Sequence, residues 1–300
     1  MISESTSDRA LRWLGLAATL SLASGVAPFV HGQGGTGFMV AWQDNVTNAL
    51  PANGRLPAWM VTANASQSLR RELPDGNAIV LGGAVEGDAC VDYRGLNSAC
   101  AGPDVAFQHK FGFGAYVPVV RLDASFKGIA ASEPDRAGWS FAAGMEFGKR
   151  FTEAVRLDLR GEWFHSTARA DILSRSTGCL VAGLACDFTP RWRLSGRIGW
   201  SDGDVISYAR AQWTGWGWRP AGEANYDYEG TTAPSMLVGT FKTPYLAYRI
   251  HAQTWSCGTA LCPAVGRNTS LVFSVEFSET RKDELSYRNR TASVGIVRRF

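Results

Sequence analysis

Long apolar runs are missing from this chain of 300 residues once its first thirty are passed. No later stretch approaches eighteen consecutive apolar residues, which excludes a bundle of membrane-crossing helices. Histidine is scarce, with four in all, and no ligand set stands at metal-binding spacing, so neither a metal nor a cofactor is expected. No glycine-rich loop follows a strand and opens a helix, which removes the usual phosphate cradle. Runs of Lys and Arg are absent as well. A formal net charge of +3 is too mild to suggest a nucleic-acid partner.

What the chain does have is glycine, 33 residues, and tryptophan, 11 residues. That pair suits a sheet protein with an interfacial aromatic surface. The N-terminus reads as an export signal over 1–32: Arg9 and Arg12 precede the apolar run Leu14 to Val30, which Gly25 and Pro28 keep short of a helical span. The rest, 33–300, reads as one domain.

Period-two alternation then recurs along the chain. Val120, Leu122, Ala124 and Phe126 alternate with Arg121, Asp123, Ser125 and Lys127. Trp139 to Phe147 alternates with Ser140, Ala142, Gly144 and Glu146. In AVRLDLRGEWF, Val155, Leu157, Leu159 and Trp163 alternate with Arg156, Asp158, Arg160 and Glu162. Leu194, Ile198 and Trp200 alternate with Arg193 and Arg197, Leu246 to Ala252 with Arg249 and His251, and Leu271 to Phe277 with Ser274 and Glu276. The series amounts to about twelve strands, within a range of 10–14, and the fold class is all-β.

Connections separate by length. RELPDG, GFGAYVP, GKRFTEA and DFTPRW are short and carry turn residues. Alternating with them are DNVTNALPANGRLPA, DACVDYRGLNSACAGPD, KGIAASEPDRAG, STARADILSRSTG and the segment from Ser201 to Pro244. Long loops on one side and short turns on the other predict a closed antiparallel transmembrane barrel in the bacterial outer membrane, with the long loops extracellular and the short turns periplasmic. An Arg or Lys facing lipid at midplane costs roughly 2–4 kcal/mol. The apolar alternates are therefore expected outside, against outer-membrane lipid, and the charged set inside. That set is Arg121, Asp123, Lys127, Glu146, Arg156, Asp158, Arg160, Glu162, Arg193, Arg197, Arg249, His251 and Glu276.

The chain closes on SVGIVRRF, where Ser293, Gly295 and the terminal aromatic Phe300 read as an insertion signal for the barrel-assembly machinery. Six cysteines in an exported chain suggest disulfides. Cys90 and Cys100 flank a polar segment read as an external loop and are expected to bond. Cys179/Cys186 and Cys257/Cys262 stay open, because an extended backbone would hold each pair apart.

KFGFGAYVPVVRLDASF, the GKRFTEAVRLDLRGEWF hairpin, FTPRWRLSGRIGWSDGDV and the C-terminal strand together resemble a group of proteobacterial outer-membrane barrels. The chain is most similar to the barrel portion of surface lipoprotein assembly modifier proteins, which place a helical-repeat periplasmic domain ahead of the barrel. Here the first strand follows the leader directly, so the resemblance implies the fold and not the activity.

Three functional readings follow. The first is a non-enzymatic channel or translocation conduit with a charged lumen. The second is an enzyme acting on lipid or peptide near His165, with Asp171 or Glu133 as partner, although His165 and Ser166 point to opposite faces of a strand. The third is a structural or adhesive surface protein that uses the aromatic loop 205–230. In that loop Trp213, Trp216, Trp218, Tyr226 and Tyr228 stand among carboxylates suited to an external glycan or an exported substrate. All three rest on a folded barrel. Outer-membrane fractions run unboiled and boiled should therefore show two mobilities for this chain, and a single mobility would exclude the barrel.

Overall fold

The computed structural model describes residues 31–49, 54–213, 215, 218–220, 238–241 and 243–300. Most of the predicted leader lies outside the described residues. Strands β1(His31–Gln43), β2(Ala58–Glu72), β3(Asn77–Cys90), β4(Ser98–Lys110), β5(Val119–Ala131), β6(Gly138–Arg150), β7(Val155–Ala168) and β8(Arg175–Thr189) pair antiparallel, each with the next. β9(Trp192–Trp213) follows, then the three-residue β10(Trp218–Pro220), the short helix α1(Val238–Phe241), β11(Tyr245–Pro263), β12(Thr269–Lys282) and β13(Leu285–Arg299). β9 pairs with both β8 and β11, and β13 pairs with β1. The result is a closed twelve-strand barrel, with β10 lying outside the wall as a short partner of β9.

Closure is what lipid demands, because an unpaired backbone N–H or C=O in hydrocarbon costs several kcal/mol. At the seam, Gly34 N–H donates to Phe300 O (2.9 Å) and Phe300 N–H donates to Gly34 O (3.0 Å). Phe300 lies over Gly34 so closely that a Cβ there would meet its ring at 2.4 Å. Gly295 approaches the other strand as tightly, since a Cβ would meet Phe38 O at 2.7 Å. Of the three residues read as an insertion signal, Ser293 and Gly295 lie on the closing strand and Phe300 directly follows it, and Ser293 bonds hydroxyl to hydroxyl with Ser274 of β12 (2.6 Å).

One face of the wall carries large exposed apolar side chains: Phe38, Leu81, Leu122, Leu159, Trp163, Leu180, Ile198, Trp255 and Phe273. In water such a belt would be costly, and in a bilayer it is the outer surface. Strand β7 shows the division well. Leu159 and Trp163 are exposed, whereas Arg160 and Glu162 are partly shielded on the opposite face.

The loops differ from the sequence expectation. Strands continue through most of the segments expected as long loops, leaving only 91–97, 132–137 and 169–174 between them. Beyond the bilayer, strand residues no longer need to alternate apolar with polar, so the pairing persists without the pattern that announces it. GFGAYVP forms the short turn expected of it, with Gly112 and Gly114 at φ of 111° and 104°. Length asymmetry is carried by 44–57 and 214–244, and the outer connection between β12 and β13 is only 283–284.

The disulfide expectation is corrected: all six cysteines are free thiols. Cys90 and Cys100 lie on strands β3 and β4, not in a loop, and Cys100 faces Glu86, four positions from Cys90. At roughly 3.4 Å per residue that offset is about 14 Å, beyond the reach of a disulfide. Cys179 and Cys186 share β8, and Cys257 and Cys262 share β11, so each pair is held apart by extended backbone.

Which face meets lipid has a measurable consequence. Leu159→Arg should lower the stability of the barrel in phospholipid vesicles by about 2–4 kcal/mol in urea titrations. Leu159→Ala should cost distinctly less.

Candidate functional site

The face of β5, β6 and β7 opposite to that of Leu122, Leu159 and Trp163 is built from rows of opposite charge. Strand register sets Asp123, Gly144 and Glu162 in one row, and Arg121, Glu146 and Arg160 in the next. Arg160 donates to both oxygens of Asp123 (2.9 and 2.8 Å) and twice to Glu162 Oε2 (3.1 and 2.6 Å), with Glu146 at 3.7 Å. Gly144 makes this possible, because a Cβ there would meet the guanidinium at 2.9 Å. A planar guanidinium bound to two carboxylates is held in place more firmly than a single surface pair would hold it.

The same device recurs. Gly148 lies beside Asp158, which pairs with Arg156 (2.6 Å), and Arg156 also reaches Glu146 (3.4 Å). Arg197 of β9 pairs with Glu276 of β12 across Gly258 of β11. Arg193 pairs with Asp187 (2.6 Å) and Lys127 with Glu86 (3.7 Å). The part these glycines play, and that of Glu86, Asp187, Arg70 and Gln108, escaped the sequence reading. The available signal was a glycine standing in the charged alternate of its strand.

Two residues expected in this set lie elsewhere. Arg249 and His251 share the face of Trp255, not that of Gly258 and Arg197. Arg249 donates to the carbonyls of Asp171 (3.1 Å) and Ser174 (3.0 Å), and exposed His251 lies between Asp202 (3.4 Å) and Asp204 (3.6 Å). The reason is that β9 and β11, with 22 and 19 residues, outrun their neighbours. Pairing of β9 to β8 ends at Gly203, whose φ of 148° leaves the left-handed side open to glycine, and pairing of β11 to β12 ends at Gln253.

Past these points the β9–β11 hairpin continues alone and crosses the outer mouth. Tyr208 N–H donates to Thr47 O (2.8 Å), and Asn48 Nδ2 donates to Ile206 O (3.2 Å). Tyr208, Tyr245 and Ala247 pack with Ala58 and Cys90 at the ends of β2 and β3, and with Leu96, Leu173 and Phe241 from the outer connections. Phe241 is the centre of this cluster, with ring centroids 5.5 Å from Tyr93, 5.2 Å from Tyr208 and 4.8 Å from Tyr245. Beneath it Tyr248, Ile250, Ala252 and Ala209 form a second buried group. Asn45 and Thr47 are fully buried beside the hairpin and bonded to one another (2.9 Å).

Trp213 ends β9 with its ring exposed. The side chains of Trp216, Trp218, Tyr226 and Tyr228 lie outside the described residues. His165 points outward, its ring 5.5 Å from Trp139 and 5.9 Å from Trp163, while Ser166 is buried on the other face. Asp171 and Glu133 stand in outer connections, and Asp171 contacts Arg249. Burial and the neighbouring Asp135 raise the Glu133 carboxyl above its ordinary range.

The coupling of Arg160 to Asp123 can be isolated. In a cycle of Arg160→Gln, Asp123→Asn and the double variant, urea unfolding should return an interaction energy of about 0.5–3 kcal/mol, and additive losses would contradict the ion-paired geometry.

No protein-family model matches the chain, and no curated protein matches it either. Solved structures do. The COG4313 outer membrane channel from Pseudomonas putida F1 is similar at a TM-score of 0.55 and 11% identity, over 93% of this chain and all 100% of that one. The TodX monoaromatic hydrocarbon channel deltaS2 mutant gives 0.43 at 8% identity, covering 91% and 90%. The KdgM porin in complex with disordered oligogalacturonate gives 0.42 at 8%, covering 88% and 98%. At such identities the likeness is one of fold, and with the closed sheet and its apolar belt it makes this chain an integral β-barrel of the bacterial outer membrane.

Proposed function

We propose that the chain is a non-enzymatic channel, with a charged water-filled conduit on the inner face that the β9–β11 hairpin closes at its outer end. The observation that carries this reading is the hairpin itself. Two wall strands leave their partners together and pack between opposite sides of the mouth. Strands of 22 and 19 residues supply the length to cover the mouth, and a conduit needs a barrier to leakage when no cargo is passing.

The charged lining supports the reading. Carboxylates and guanidiniums fixed along β5 to β7 keep the inner face hydrated and hold the wall rigid. His165 is read as an aromatic-belt residue at headgroup level, because its ring lies between those of two tryptophans on the lipid side. The similarity to surface lipoprotein assembly modifier barrels is kept as one of architecture, and no lipoprotein export is proposed from it.

Planar-bilayer recording tests the channel. The intact chain should show small or rare openings. Replacing Phe241 and Tyr208 with Ala removes the rings at the centre of the mouth cluster, and conductance should rise several-fold. A folded barrel that stays silent in both forms would overturn the reading.

A further inference from the structure

The inner face is not uniformly paired, and the exception lies at the periplasmic end. A cavity of about 290 Å³ opens there between the 111–118 turn and the ends of β4 to β7. Its lining includes Arg121, Arg150 and Arg156 against one carboxylate, Glu146, while Lys149, which also borders it, alternates with them on the face of Leu157. That carboxylate is already committed, to Arg156 at 3.4 Å and to Arg160 at 3.7 Å.

Arg121 is the group left short. Its nearest carboxylate is Asp123 at 4.0 Å, and both oxygens of Asp123 accept from Arg160. Arg150 donates to the backbone oxygen of Glu153 (3.2 Å) and, among the described residues, forms no carboxylate pair within 4.0 Å. Lys149 lies over the Phe151 ring at 5.3 Å. Gln108, on the cavity wall, accepts from Arg70 through its amide oxygen (2.8 Å), which leaves its amide nitrogen as a further donor.

We propose that this periplasmic cavity is a binding subsite for small anionic solutes carrying carboxylate or phosphate groups, held by Arg121 and Arg150 with Gln108 as a neutral donor. The inference rests on the reading of the inner face as a conduit and names the class of solute it favours. Guanidinium forks match the planar, two-oxygen geometry of a carboxylate or a phosphate. A second cavity of about 220 Å³ shares Arg121 and adds Arg70, Gln33, Ser66 and Ser68 against Asp104. An anion leaving the first site therefore meets donors again within the same wall. In the upper rows, by contrast, Arg160 is saturated by carboxylates.

Equilibrium binding separates this inference from conduction. The full chain in detergent micelles is titrated calorimetrically with citrate, with inorganic phosphate as a second probe and sucrose as a neutral control. Citrate should bind, more weakly as salt is raised. Affinity should fall at least tenfold in Arg121→Gln with Arg150→Gln, neither of which makes an ion pair shorter than 4.0 Å. Unboiled gel mobility identifies the folded variant. Equal citrate affinity in the intact chain and the folded variant, or sucrose bound as well as citrate, would overturn the subsite. A chain that binds citrate yet never conducts would overturn the channel and leave the subsite standing, and a conducting chain that ignores citrate would do the reverse.

Discussion

Backbone hydrogen bonding in a medium without water is the constraint on which the rest of this structure depends. Twelve strands satisfy one another around a closed ring, and the ring is completed where β13 meets β1. The Gly34–Phe300 pair secures that last contact at the very end of the chain. Once the sheet is closed, period two sorts every side chain to lipid or to the interior, and the energetics of each face follow.

Within the ring, charge and glycine work together. Two guanidiniums reach across an intervening strand at a position that offers no side chain, Arg160 over Gly144 and Arg197 over Gly258. The wall thereby gains cross-strand ties. Where a carboxylate is shared by two arginines, a third is left underpaired, and this is the origin of the cationic cavity at the periplasmic end.

The outer end obeys different rules. Freed from lipid, β9 and β11 keep pairing with each other while abandoning the wall, and their hairpin buries tyrosines and aliphatics against opposite sides of the mouth. Arg249 and His251 illustrate the consequence. They alternate in sequence like the lining residues but lie on the face of Trp255, because the hairpin stands above the last row of the barrel.

The sequence by itself determined the fold class, a strand number of about twelve and the separation of the charges from Arg121 to Glu162 onto the face opposite Leu122, Leu159 and Trp163, because an Arg or Lys facing lipid at midplane costs roughly 2–4 kcal/mol. It did not reveal that β3 and β4 run on through Cys90 and Cys100, since extramembrane pairing carries no apolar pattern. Nor could it pair Arg160 with Asp123, close the mouth with a hairpin, or leave Arg121 without a full partner. Those outcomes depend on register across several strands and on contacts between opposite walls, which the order of residues along one strand does not contain.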